Sequence, residues 1–224
     1  MSYNDFMIKL VIFDCDGVVI DSEGLYLDIA DRVSKMRGYN VPKEAVYSTL
    51  GANVIEMKKI ILSYMGSDFD YDTYYNEICE IKAREIIDNP PLLKKGFNEL
   101  IEYLRNNNIA TALATSTERE KQCANLKRIN ILNCFDYMIF GDEVENSKPN
   151  PEIYLKVINH FDYDKEGILI IEDTPNGIKS GMAAGVRVIY CPDYAVVPEE
   201  MQKQVYTKVE DLTGVIGIIE KLNK

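Results

Sequence analysis

The fold is indicated first by one stretch near the N-terminus, Ile8-Lys9-Leu10-Val11-Ile12-Phe13-Asp14-Cys15-Asp16-Gly17. Its apolar part predicts a short buried strand, and two acids follow where that strand ends. Because side chains alternate along a strand, we expect Asp14 and Asp16 to point to one side and Cys15 to the other. Two neighbouring carboxylates repel each other unless a cation lies between them. The stretch therefore predicts a hard metal ion beside a nucleophile.

The composition is that of an acidic globular protein. The 224 residues are 46% hydrophobic and 27% charged, and the net charge is −11. This balance argues against nucleic acid as a partner, because binding to a phosphate backbone needs a basic surface. No apolar run reaches the ~18 residues of a membrane span, so no membrane partner is expected. The five cysteines include no C-x-x-C pair and no signal-peptide pattern is present, which predicts a cytoplasmic protein.

Hydrophobic spacing separates a helical region from a mixed one. Residues 22–87 show only helical periods, which predicts a module of four helices without a strand between them. Within it, Asn53 and Glu56 have the spacing of an N-terminal capping motif, and Asp72 is expected to cap the fourth helix.

After residue 91 the pattern changes to strands that alternate with helices. This alternation predicts an α/β fold, a Rossmann-like parallel sheet with helices on both faces. The first strand must join that sheet, so the four helices form an inserted cap. We expect the core domain to comprise residues 1–20 and 90–224, and the cap domain to comprise residues 21–89.

Polar side chains follow the predicted strands at the points where ligands bind in parallel α/β sheets. The convergence of four acids, two hydroxyls and a lysine on one edge is hard to obtain by chance. The candidate residues are Asp14 and Asp16 after the first strand, Thr115 and Ser116 after 109–114, Lys148 in the loop after Phe140, and Glu172 and Asp173 after 168–171.

Together these segments resemble the motifs of the haloacid dehalogenase-like (HAD) superfamily. The similarity is to its branch with an α-helical cap inserted after the first strand, which includes β-phosphoglucomutase-like and phosphoglycolate phosphatase-like enzymes. The family pattern D-x-D-G-V-hydrophobic-x-D-S-E is matched from Asp14 to Glu23, and the likeness extends from about Lys9 to about Tyr190. The resemblance implies a Mg²⁺-dependent phosphatase that hydrolyses a small phosphorylated metabolite, such as a sugar phosphate, through an aspartyl-phosphate. It also implies a monomer.

The resemblance further implies a role for each catalytic and phosphate-binding residue. Asp14 is expected to attack phosphorus, and Asp16 to protonate the leaving alcohol and then activate water. Thr115 and the backbone N–H of Ser116 are expected to bind phosphate oxygens near the start of a helix. Lys148 is expected to lie between the phosphate and Asp14 and to offset their repulsion.

The same resemblance implies the ligands of the metal ion. Mg²⁺ accepts a few carboxylates together with several waters. The expected ligands are the Asp14 carboxylate, the Asp16 backbone carbonyl and the Asp173 carboxylate, with Glu172 acting outside this set or through water.

Alternative interpretations exist for two of the candidate residues, Thr115 and Lys148, and for the activity. Taken alone, Thr115 also fits a helix N-cap and Lys148 a solvated loop residue. A sugar phosphomutase is the alternative activity, but its cap typically carries G-x-S-R, and here Gly51-Ala52-Asn53-Val54 lacks the arginine. A dehalogenase would not need Asp16, and a non-catalytic sensor would not need a general acid. We therefore expect a phosphatase.

Overall fold

The computed structural model describes residues 7–88 and 90–224. Within them, one six-stranded sheet has every neighbouring pair of strands parallel, as the sequence predicts. From one edge to the other its strands are β5 (Tyr137–Ile139), β4 (Ala110–Ala114), β1 (Leu10–Phe13), β6 (Ile168–Glu172), β7 (Arg187–Tyr190) and β8 (Thr207–Lys208).

The helices fall into a module within residues 23–88 and a set that covers the sheet. The module contains α1 (Glu23–Arg37), α2 (Lys43–Tyr47), α3 (Val54–Met65) and α4 (Tyr71–Asp88). The second set contains α5 (Phe97–Asn106), α6 (Arg119–Arg128), α7 (Glu152–Phe161), α8 (Pro175–Ala183), α9 (Glu199–Gln202) and α10 (Thr213–Leu222). Among the described residues, no helix is both long enough and apolar enough to cross a membrane.

The alternation of side chains along β1 explains why both faces of the sheet are covered. Val11 and Phe13 point into an apolar cluster with α5 and α10. Leu10 and Ile12 point into a second cluster with α7 and α8 on the opposite face. All four side chains are fully buried, which is typical of a central strand in a parallel sheet.

The helical module has an apolar core of its own. Ile29 and Val33 of α1 pack with Tyr74 and Ile78 of α4, at the three- and four-residue spacing of helical faces. The Asn53 side chain accepts a hydrogen bond from Glu56 N at 2.9 Å and so caps α3 as predicted. The prediction that Asp72 caps the fourth helix is wrong. Asp72 lies inside α4, and Asp70 instead accepts a hydrogen bond from Thr73 N at 3.1 Å. The hydrophobic period of the sequence did not locate the start of this helix.

A short antiparallel ribbon joins the module to the sheet. It pairs β2 (Ile20–Asp21) with β3 (Leu92–Leu93), the segments before and after the four helices. Strands of two residues carry no periodic pattern, and so the sequence did not indicate the ribbon or β8. The division into a core of residues 1–20 and 90–224 and a cap of residues 21–89 stays a prediction.

Candidate active site

The four predicted segments meet at the carboxyl edge of the sheet because their strands are neighbours. β1 lies between β4 and β6, and Asp14 N continues the ladder by donating to Ile171 O at 3.0 Å. Thr115 N likewise donates to Ile139 O at 3.1 Å. Lys148 comes from the segment between β5 and α7, and its side chain reaches the end of β1.

Lys148 is buried between two carboxylates and is not a solvated loop residue. Its Nζ lies 2.5 Å from Asp14 Oδ1, 2.7 Å from Glu172 Oε1 and 3.1 Å from the carbonyl of Ala114. Only 5% of Lys148 is exposed. Burial works against the charged form, but the two carboxylates hold the pKa of Lys148 above its ordinary value. A fixed ammonium therefore lies beside the predicted nucleophile.

Burial dominates the electrostatics of Asp14. It raises the pKa of Asp14 to about 8, and the attraction of Lys148 opposes that shift only in part. Nearby Glu172 and Asp16 add to the rise through like-charge repulsion. Without further positive charge, the site disfavours the carboxylate form that a nucleophile needs.

Asp173 supplies the strongest indication of a metal site. It is fully buried, and neither carboxylate oxygen has a hydrogen-bond partner among the described residues. Asp14, Glu172 and Asp173 each offer an oxygen within 4.8 Å of the others. Burial and neighbouring carboxylates raise the pKa of Asp173 well above its ordinary value. Oxygen donors in this number suit Mg²⁺, so the residues fit the expected ion.

A glycine allows the chain after Asp14 to lie directly against Asp173. Gly17 has a φ of +87°, and a Cβ at this position would overlap the Asp173 carboxylate. Both the left-handed backbone and the close approach therefore require glycine here.

The Asp16 carboxylate lies outside the acidic group and is held by hydroxyls. It accepts hydrogen bonds from Thr117 Oγ1 at 3.0 Å, from Thr115 Oγ1 at 3.4 Å, and from Ser22 Oγ. Asp16 is also partly exposed, unlike Asp14. Its carboxylate is thus oriented by three hydroxyls and stands apart from the group formed by Asp14, Glu172 and Asp173.

Thr115 and Ser116 lie where the sequence predicts, but Thr115 is no helix cap. The N-cap of α6 is Glu118, and the Thr115 hydroxyl instead accepts from Thr117 N at 3.1 Å and donates to Asp16. Ser116 is exposed at the open side of the site. The backbone of Ser116 lies against Gly141, and a Cβ on Gly141 would overlap the Ser116 carbonyl.

Several residues of the site were not assigned a role from the sequence. Tyr154 donates from its hydroxyl to Glu172 Oε1 at 2.7 Å, but on α7 it has the same periodic position as an ordinary core residue. Ser22 occupies the N-cap of α1, yet its hydroxyl makes no cap bond and turns to Asp16. Thr117 is the third hydroxyl of the run Thr115-Ser116-Thr117, but the sequence did not predict its contact with Asp16. No spacing rule predicts these contacts, because each depends on the folded arrangement of the chain.

The comparison with known proteins agrees with this arrangement. Residues 11–191 match the family model described as haloacid dehalogenase-like hydrolase. A phosphorylated carbohydrates phosphatase from Thermotoga maritima is 32% identical over 185 residues, which cover 82% of this chain and 84% of that protein.

Solved structures share the fold across nearly the whole chain. β-Phosphoglucomutase from Clostridium difficile has a TM-score of 0.78 at 21% identity and covers 97% of each chain. CbbY from Rhodobacter sphaeroides, in complex with phosphate, has a TM-score of 0.76 at 20% identity and covers 93% of this chain and 96% of that one. The chain belongs to the haloacid dehalogenase-like hydrolase family, in the branch with a helical cap inserted after the first strand.

Proposed function

We propose that this protein is a Mg²⁺-dependent phosphatase that hydrolyses a small phosphomonoester through an aspartyl-phosphate on Asp14. The observation that carries the proposal is the contact of the Lys148 ammonium with Asp14, 2.5 Å away, beside an Asp173 whose two buried oxygens lack partners among the described residues. A phosphoryl group needs this combination of an in-line nucleophile and concentrated positive charge.

The first half of the reaction transfers the phosphoryl group to the protein. An Asp14 oxygen forms a bond to phosphorus as the ester P–O bond breaks. Asp16, in its protonated form, gives its proton to the departing oxygen, and the alcohol leaves. Lys148 reduces the repulsion between the phosphate and the Asp14 carboxylate throughout.

The second half regenerates the enzyme. Asp16, now ionised, removes a proton from a water molecule, whose oxygen bonds to phosphorus as the Asp14–phosphorus bond breaks. Inorganic phosphate leaves, and Asp16 is again protonated. The hydrogen bonds from Thr115 and Thr117 support this role, because they hold the Asp16 carboxylate in one orientation through both steps.

Asp14, the Asp16 carbonyl and Asp173 would hold the metal ion, with Glu172 contributing through water. When bound, Mg²⁺ supplies positive charge to the phosphate oxygens and to the carboxylates around Asp14. Thr115 and Ser116, at the carboxyl end of β4, would bind the remaining phosphate oxygens.

The proposed substrate class is a small phosphorylated metabolite, such as a sugar phosphate. The Thermotoga relative, a phosphatase of phosphorylated carbohydrates, supports this class. The cap loop Gly51-Ala52-Asn53-Val54 supplies no arginine to grip a second phosphate, which favours a phosphatase over the sugar phosphomutase alternative.

A panel of phosphomonoesters, assayed for phosphate release with and without Mg²⁺, tests the proposal. We expect release from at least one sugar phosphate, loss of release after chelation, and loss in Asp14→Asn. Asp28→Asn, an exposed acid on α1, is the matched control and should retain full activity. Release that survives both chelation and Asp14→Asn would contradict the mechanism. Conversion of glucose 1-phosphate to glucose 6-phosphate in the presence of a bisphosphate, without phosphate release, would establish the mutase instead.

A further inference from the structure

A second acidic group shares Asp173 with the first. Glu23, Asp173 and Asp193 each offer a carboxylate oxygen, and these oxygens lie within 4.8 Å of one another. The three residues come from different parts of the fold. Glu23 is the first residue of α1, Asp173 follows β6, and Asp193 follows β7.

Glu23 and Asp173 are buried and Asp193 is partly buried, and four carboxylate oxygens of this group have no hydrogen-bond partner among the described residues. Glu23 is 6% exposed, and its Oε2 has no hydrogen-bond partner among residues 7–88 and 90–224. The same holds for both oxygens of Asp173 and for Oδ2 of Asp193. Lys94 binds the other Asp193 oxygen, Oδ1, and its single positive charge offsets the three carboxylates only in part.

Unpaired carboxylate oxygens are costly to bury, and native proteins pair such groups with cations or metals. Water alone would supply hydrogen bonds but no positive charge. A hydrated divalent cation at Asp173 would supply both, because Mg²⁺ keeps several of its waters when it binds to a few carboxylates.

We propose that Glu23 and Asp193 extend the cation site, so that the divalent ion bound at Asp173 is also held, through its waters, by the first residue of the helical module and by the loop after β7. This deepens the proposed function, on whose Mg²⁺ site it rests. Glu23 and Asp193 act as positioning residues, and they give the ion a second effect beyond charge neutralisation.

The second effect is mechanical, because the acidic group lies at both connections between the module and the sheet. Glu23 follows β2 by two residues, and Lys94, which binds Asp193, directly follows β3. Lys94 N also donates to Val19 O at 2.9 Å and so ties the two connections together. An ion held by Glu23, Asp173 and Asp193 therefore links α1 to the core and restrains the ribbon about which the module would move.

The test measures Mg²⁺ binding and the protection of the two connections from hydrogen exchange, in the full chain without substrate. Isothermal titration with Mg²⁺ alone gives the affinity. Hydrogen exchange of peptides covering residues 18–24 and 92–95, with and without Mg²⁺, gives the protection. We expect Glu23→Gln to weaken Mg²⁺ binding by about tenfold or more, the range seen for groups that act on a metal through its ligands. We also expect it to lose the Mg²⁺-dependent protection of both peptides.

Glu56→Gln is the matched control. Glu56 also lies in the first turn of a module helix and also has a buried oxygen without a partner among the described residues, but it is outside the acidic group. The Mg²⁺ affinity of this variant, and the Mg²⁺-dependent protection of both peptides, should equal those of the wild type. Asp193→Asn is the second variant and should weaken Mg²⁺ binding in the same direction.

The outcomes separate this inference from the proposed function. If the wild type binds Mg²⁺ and Glu23→Gln binds it equally well, Glu23 is only a structural acid and the inference is overturned while the phosphatase stands. If the wild type binds no Mg²⁺ at all, the inference and the metal dependence of the phosphatase both fail. If Glu23→Gln does not fold, Asp193→Asn decides by the same criterion.

Discussion

Gly51 of the helical module lies directly against Thr174 of the core. A Cβ on Gly51 would stand 2.6 Å from Thr174 Cγ2, and the Gly51 backbone has a φ of +73°. Thr174 is the neighbour of Asp173, so this contact places the loop between α2 and α3 over the candidate active site. Only glycine permits both the backbone conformation and the close approach.

Gly51→Ala is expected to hold the module away from the core. Gly38→Ala is the control, because Gly38 has a similar φ of +68° but no atom within 4 Å of an added Cβ. Both variants should lose about 1 kcal/mol of stability from left-handed strain. Only Gly51→Ala should raise KM for a phosphomonoester, by about tenfold, which corresponds to roughly 1.4 kcal/mol. Equal KM values in the two variants would show that the contact has no part in substrate binding.

Lys148→Met is expected to destabilise the protein as well as inactivate it. The substitution leaves the buried Asp14 and Glu172 carboxylates without their shared cation, and breaking such a pair costs about 3–5 kcal/mol. Urea unfolding without Mg²⁺ measures the loss. Adding Glu172→Gln to Lys148→Met should recover part of the stability but none of the activity. A single variant as stable as the wild type would contradict the buried ion-pair arrangement.

Asp16→Asn is expected to separate proton transfer from metal binding. Its Mg²⁺ affinity should stay close to that of the wild type, because the Asp16 carboxylate is outside the group formed by Asp14, Glu172 and Asp173. Turnover of alkyl phosphates should fall by about 10²–10⁴-fold, the usual contribution of a general acid or base. The rate of phosphoryl transfer to Asp14 should fall less with p-nitrophenyl phosphate, because its leaving group needs little protonation. Rapid-mixing kinetics would detect this first step as a burst of p-nitrophenol. An equal loss of that step with both kinds of substrate would exclude Asp16 as the general acid.

Asp211→Ala is expected to weaken the start of α10 in a pH-dependent way. Asp211 forms an ion pair with Lys95 at 2.7 Å and accepts hydrogen bonds from Thr213 Oγ1 and, at 2.9 Å, from Thr213 N, contacts that lower the pKa of Asp211 to about 2. The wild-type advantage should be about 1 kcal/mol near neutral pH. Since the folded-state pKa lies below the ordinary value of 3.8, the advantage is complete above about pH 4 and is lost as the pH falls towards 2.

Urea unfolding of the wild type and Asp211→Ala at pH 7 and at pH 2 measures this difference. Glu199→Ala is the control, because Glu199 is strongly exposed and its ion pair with Lys203 spans 3.7 Å. Exposed pairs of this kind contribute little, so Glu199→Ala should change stability by less than about 0.5 kcal/mol at either pH. An Asp211→Ala effect as large at pH 2 as at pH 7 would rule out the charged carboxylate as its source.

The order of helices and strands, and the acids at the strand ends, could be predicted from local sequence. Phe13 ends an apolar run, and Asp14 follows it at the carboxyl edge of the sheet. Both could be predicted because hydrophobic periodicity depends only on residues that are close in sequence. The same reasoning located Thr115, Lys148 and Asp173 at that edge. It did not find β8 or the β2–β3 ribbon, since two residues are too few to show a period.

The contacts between these groups, by contrast, do not follow from local sequence patterns, and only the family resemblance implied that Lys148 lies beside Asp14. Lys148 reaches Asp14 across 134 positions of chain, and Thr117 reaches Asp16 across 101. Likewise, Glu23 meets Asp193 only because α1 begins where the loop after β7 passes. Such contacts depend on how the helices pack against the sheet and on which rotamer each side chain adopts. Those quantities belong to the packed molecule as a whole, so no local pattern in the sequence encodes them.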